Sequence, residues 1–165
     1  AQLVMNEYDI EFVGPRFRRK REAFLRLIRD LKMRNVPLHA IGLQGHLRGE
    51  LPIDREGLSA FIAECRSMGL KVLVTELDVV DDKLPGPPEV RDILAASRVY
   101  DFLDAIRVSS PLDALLTWGI SDRYTWVPLY FKRTDGHLNR PLPLDSDYRP
   151  KPMMRVIEHF LRDRR

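Results

Sequence analysis

The chain has 165 residues, enough for one domain with a real hydrophobic core. Hydrophobic residues make up 44% and charged residues 31%, and no run approaches the roughly 18 unbroken apolar residues of a membrane span. The net charge of +3, with a pI of about 9.2, is too mild an excess to argue for a nucleic-acid partner.

Four apolar runs read as strands. The first is Leu3–Tyr8. The residues Ala1 to Glu7 lack the basic-then-apolar pattern of a secretory signal, so nothing marks a compartment. Pro15 then opens a helical segment with Phe24, Leu27, Ile28 and Leu31 at helical spacing, ending near Asn35 before Pro37. Its basic cluster, Arg16 to Arg21, reads as the outer face of that helix rather than a polyanion patch. The second strand is Ala40–Leu47. Asp54 is a good N-cap for the helix after it; Leu58, Phe61, Ile62 and Cys65 form its stripe, and Gly69 suits C′. Cys65, the single cysteine, reads as a buried inert thiol and leaves the redox compartment undetermined. The third strand is Val72–Val79, followed by a Pro-rich connector at Leu84–Pro88 and a helix from about Glu89 to Ile106. The fourth is Ala114–Ile120, followed by a long Pro- and Asp-rich loop to Pro150 and a last helix from Lys151-Pro152.

The strands are near-continuous apolar runs, which suits a parallel sheet covered on both faces. The βαβαβαβα order predicts an α/β fold with right-handed crossovers. No Gly-rich phosphate loop follows the first strand, so a nucleotide-binding doubly wound sheet has no support. Polar residues at the carboxyl end of every strand favour a barrel, whose active sites are built there. A complete (β/α)8 barrel needs eight units and about 250 residues; four units cannot close. The expected architecture is therefore half a TIM barrel over residues 1–165, completed by a missing half or a second copy of the chain.

Three strand ends converge on one carboxylate. Glu76 and Asp78 share a face by the two-residue period, and His46 comes from the neighbouring strand. Glu76 reads as ionised and held by His46, with Asp78 orienting the imidazole from its other side. A structural salt bridge at the rim is the plainer alternative, weakened by the cost of ending an apolar strand in an unused Glu. Tyr8, Trp118 and Trp126 offer flat faces to a sugar, and Asn6 and Gln44 offer amides to its hydroxyls.

Ile41-Gly42-Leu43-Gln44-Gly45-His46-Leu47, Val74-Thr75-Glu76-Leu77-Asp78-Val79 and the run from Leu116 to Trp126 resemble the last strand motifs of glycoside hydrolase family ten, the endo-1,4-β-xylanases. Asn6-Glu7-Tyr8-Asp9 resembles that family's fifth-strand motif, and Lys151-Pro152 the start of its last helix. The resemblance implies strands five to eight of the barrel, with the N-terminal half absent. It implies Glu76 as nucleophile of a retaining mechanism acting on β-1,4-xylan or xylo-oligosaccharides, supported by His46 and Asp78. Gln44 and Trp118 would line the subsite of the reacting sugar, with Trp126 close by and Arg123 among the binding residues. Asn6 and Tyr8 would serve the leaving-group side. No metal or organic cofactor is implied.

The resemblance also implies a second carboxyl as general acid, on a strand before residue 1. Asn6-Glu7 does not fill that role, because the family places two strands between acid and nucleophile and only Ala40–Leu47 intervenes here. Glu7 and Asp9 depart from the family's Asp and Asn. Two other readings compete with a xylanase half inactive by itself. One is a non-catalytic half-barrel that self-associates or binds glycans. The other is a metal-dependent hydrolase with His46, Glu76 and Asp78 as ligands, which lacks the usual paired histidines.

Overall fold

The third apolar run forms the axis of the molecule. In a computed structural model describing residues 1–107 and 112–162, it becomes the ten-residue strand β4 (Lys71–Val80). The strands β1 (Val4–Glu7), β2 (Ala40–Leu43), β3 (His46–Arg48) and β5 (Ala114–Thr117) complete an all-parallel sheet. β1 pairs with β2, and β2 with the first half of β4; β3 pairs with the second half, and β5 lies along the other edge. The helices α1 (Pro15–Met33), α2 (Arg55–Ser67), α3 (Pro88–Arg107) and α5 (Pro152–Arg162) follow the strands in the expected order. The free edges of β1 and β5 have no partner strand among the described residues. No helix among those residues is long and apolar enough to cross a membrane.

Two boundaries differ from the sequence reading. The second run is two short strands, interrupted at Gln44-Gly45, where Gly45 takes a positive φ of 77°. The fourth strand stops at Thr117 rather than Ile120, and the long loop after it contains a 3₁₀ turn (Asp122–Tyr124) and the short helix α4 (Val127–Tyr130). Helix starts follow local chemistry. Pro15 and Pro88 open α1 and α3, and the Asp54 carboxylate accepts the Gly57 N–H at 3.0 Å to cap α2. Gly69 ends α2 with φ 76°.

The helix-facing side of β4, Val72, Val74, Leu77 and Val79, is fully buried against Ile28, Leu58, Ile62, Val99 and Phe102. Each such side chain contributes about 1.5–3 kcal/mol through apolar burial. Cys65 lies in this core, and burial pushes its thiol up to about 12, the inert state expected. The opposite side of the sheet, the inside of a barrel, is only partly covered: Leu73 is half-buried, and Val4 and Leu116 are exposed.

One part of the basic cluster turns inward. Arg16, Arg18 and Arg19 are exposed, but Arg21 is buried, donates to the Ile10 carbonyl at 2.8 Å and pairs with Asp54. Helical periodicity carries it to the core side of α1, three residues before Phe24.

Next to it, Glu11 is buried with one oxygen bonded to the Ile10 N–H at 2.8 Å and the other unbonded. Burial pushes its carboxyl up to about 7, against the Ile10 and Glu11 N–H groups and despite Lys20. The folded pKa therefore lies above the unfolded one, so stability falls as pH rises from about 4.5 to about 7, by about 3 kcal/mol for this group. Glu11→Gln cannot ionise. Urea unfolding at pH 5 and pH 8 is expected to show a smaller loss for the variant than for the wild type; equal losses would remove Glu11 as the cause.

Candidate active site

The site rests on an irregularity in β4. Between Val74 and Leu77 the strand takes three steps while β5 takes two, from Leu115 to Thr117. On the other edge β4 takes four steps, from Val74 to Asp78, while the β2–β3 segment takes three, from Leu43 to His46. An extra residue on one strand is a β-bulge, and it re-aims side chains. Here Thr75 and Glu76, adjacent in sequence, both reach Asn6. Thr75 Oγ1 donates to Asn6 Oδ1 at 3.0 Å, and Asn6 Nδ2 donates to Glu76 Oε1 at 3.0 Å. Backbone bonds fix the bulge, with the Glu76 N–H on the Gln44 carbonyl at 2.9 Å and the Asp78 N–H on the Gly45 carbonyl at 3.2 Å.

His46, opposite Asp78 in the sheet register, lies between two carboxylates. Its Nδ1 is 2.9 Å from Asp78 Oδ1, and its Nε2 is 3.3 Å from Glu76 Oε2. Both ring nitrogens face acceptors, which only the doubly protonated imidazolium satisfies as a donor at both ends. Burial alone would lower the His46 pKa, but the bond and charge of Asp78 and the charge of Glu76 outweigh it and raise it above 6.5. Asp78 is fully buried and accepts the Trp126 indole N–H at 2.7 Å on its second oxygen. Glu76 and His46 remain about one-fifth exposed at the carboxyl rim.

Sequence reasoning gathered Glu76, His46 and Asp78, and the structure brings them together. Trp126 and Trp118 stand edge-on to the imidazole, with centroids at 5.1 and 6.4 Å. Tyr8 and Gln44 line an adjacent cavity of about 300 Å³ together with His46 and Trp126. Asn6, expected on the leaving-group side, bonds the Glu76 carboxylate itself. Arg123 is not drawn to the cluster: its guanidinium lies about 6 Å from the rings of Tyr124 and Tyr148. Reasoning from the sequence missed Thr75 and Gly42. Gly42 pairs with Asn6, and a Cβ there would come within 2.4 Å of Asn6 Oδ1, so the glycine leaves room for the amide. A glycine inside an apolar strand was the available signal. Among the described residues no group of three His, Cys, Asp or Glu side chains is arranged to hold a metal ion; His46, Glu76 and Asp78 bond one another instead.

A parallel sheet with helices packed on one face, and a carboxylate–imidazole–carboxylate chain at its carboxyl ends, has the form of half a (β/α)-barrel. The comparisons give the family. Residues 1–159 match the model of glycosyl hydrolase family 10, and the chain belongs to that family. It is 32% identical to a β-1,4-xylanase of Dictyoglomus thermophilum, covering 97% of this chain and 46% of the relative. Native xylanase 10B from Thermotoga maritima superposes with a TM-score of 0.81 at 29% identity, over 98% of this chain and 47% of that one. Xylanase 10B from Thermotoga petrophila RKU-1, in complex with xylobiose, superposes with a TM-score of 0.79 at 26% identity, over 98% and 46%. The chain thus spans just under half the length of each of these relatives.

Proposed function

We propose that this chain carries the nucleophile side of the active site of a retaining endo-β-1,4-xylanase. The observation that carries the reading is the Glu76 carboxylate, bonded by Asn6 and His46 at the open rim beside Trp118 and Trp126. In the first step a Glu76 oxygen attacks the anomeric carbon and the bond to the leaving oxygen breaks. That oxygen takes its proton from a carboxylic acid on a barrel half outside residues 1–165. Water then attacks the glycosyl-enzyme, gives a proton back to that same carboxyl group and frees Glu76. Asn6 and the imidazole, bonded to one oxygen each, fix the carboxylate and leave a lone pair free on either oxygen for the sugar; Asp78, held by Trp126, fixes the imidazole. Gln44, Tyr8 and Trp118 meet the sugars, and the xylobiose bound by the Thermotoga petrophila relative indicates their class.

General acid catalysis typically contributes about 10²–10⁴-fold, and less as the leaving group improves. The chain alone is therefore expected to cleave a 2,4-dinitrophenyl xylobioside measurably better than a phenyl xylobioside. Adding the N-terminal half of a family relative is expected to raise the phenyl rate far more than the dinitrophenyl rate. Equal gains on both, or no activity in the completed barrel, would contradict the assignment. The open edges of β1 and β5 favour a second reading, a half-barrel that associates with its own copies. Sedimentation of the chain alone as a monomer would remove it.

A further inference from the structure

We propose that Lys20 is a positioning residue for Tyr8: its ammonium covers one face of the ring and holds the other face open to the glycan. The proposal rests on the glycosidase reading and adds to it a residue outside the strands. Tyr8 follows β1 at the carboxyl rim and is half exposed. A ring so exposed turns about its side-chain bonds unless a neighbour holds it, and ordering it on binding costs affinity.

The holder comes from the basic cluster that opens α1. Arg18 and Arg19 are exposed, but Arg16 and Lys20, one helical turn apart, both reach back to the rim. Arg16 Nη2 bonds Asp9 Oδ2 at 3.0 Å, and Lys20 Nζ lies 3.0 Å from Glu7 Oε1. Both neighbours of Tyr8 in sequence are thus tied to the helix. Lys20 Nζ also lies 3.3 Å from the centroid of the Tyr8 ring. At that distance the ammonium must stand above the ring, because an in-plane approach would collide with the ring edge. Glu7 sets this position, since the same Oε1 accepts the Tyr8 N–H at 3.0 Å. Its side chain, one methylene longer than the Asp of the family motif, holds the Tyr8 backbone and the ammonium together. Lys20 is partly buried and is not among the residues that line the cavity beside Tyr8. It therefore backs the ring from the helix side, and the far face is the one a sugar can stack on.

The test is NMR of the 165-residue chain, first free and then titrated with xylotriose. In the free chain the Lys20 ε-methylene signal is expected upfield of those of the other lysines, moved by the Tyr8 ring current, and back among them in Y8L. K20M is expected to weaken xylotriose binding about two- to fivefold. K20R is expected to keep most of the affinity, because a guanidinium also packs on an aromatic face. That rescue, together with the ring-current signal, separates an action through Tyr8 from a general loosening of the fold. An ordinary Lys20 signal, unchanged or tighter binding by K20M, a loss in K20R as large as in K20M, or no binding of xylotriose by the wild type would each overturn the proposal. The glycosidase reading is judged separately, by covalent capture of Glu76, which does not involve Lys20.

Discussion

Glu76→Gln in the completed barrel is expected to lower kcat for xylan hydrolysis by a factor on the order of 10⁴ or more, about 5.5 kcal/mol of barrier. The amide is nearly isosteric with the carboxylate and still accepts from Asn6 through its oxygen, so the fold is expected to survive. What goes is the proposed nucleophile, and with it a negative charge 3.3 Å from His46 Nε2. That charge is among the causes that raise the imidazole pKa. A downward shift of the His46 titration in the variant, followed by NMR, therefore accompanies the lost activity if the chain of bonds is as described. A variant that keeps a tenth of the wild-type kcat would assign the nucleophile elsewhere.

Arg91→Met is expected to destabilise the 165-residue chain by about 3–5 kcal/mol, the usual cost of stripping one partner from a buried ion pair. Arg91 and Asp81 are each 1% exposed and bonded at 2.8 Å. Asp81 follows β4 directly and gathers the loop after β5. It accepts from Asn139 at 2.8 Å and from the Arg140 N–H at 3.1 Å, while Arg133 donates to its carbonyl. Arg140 pairs with Asp92, and Lys151 with Asp122, so buried charges tie α3, the loop and the start of α5 together. That loop carries Trp126, whose indole N–H sets the orientation of Asp78. Loss of Arg91 therefore acts on the site through the loop as well as on stability. Urea unfolding measures the first effect, and Trp126 fluorescence below the transition reports the second. A loss under about 1 kcal/mol would mean that Arg133, now 4.0 Å from the Asp81 carboxylate, takes over the pair.

The strands and helices were legible because each is a local pattern. Val72, Val74, Leu77 and Val79 read as a buried strand whatever lies beside them, and Asp54 and Gly69 mark helix ends by their own chemistry. The gathering of His46, Glu76 and Asp78 was legible for a similar reason: neighbouring parallel strands place residues just past their apolar runs on one rim. The β4 bulge was not, because it exists only relative to β2, β3 and β5. Period-two counting sends Thr75 and Glu76 to opposite faces, and only the inserted residue turns both toward Asn6. The bond from Asn6 to Glu76 follows from that turn and was not legible without it. The inward course of Arg21 depends on a partner 33 residues away, Asp54, and Arg123 is drawn to Tyr124 and Tyr148 by a loop fold that its sequence does not announce. In each case the decisive contact is non-local.

The most direct measurement is mass spectrometry of the chain after incubation with 2,4-dinitrophenyl 2-deoxy-2-fluoroxylobioside. The leaving group departs without acid assistance, and the fluorine slows release of the sugar from the protein. A single added fluoroxylobiosyl unit, mapped by peptide sequencing to Glu76 and absent in Glu76→Gln, is the predicted result. Labelling of another carboxylate, or no label on a folded chain whose relatives are captured under the same conditions, would contradict the account.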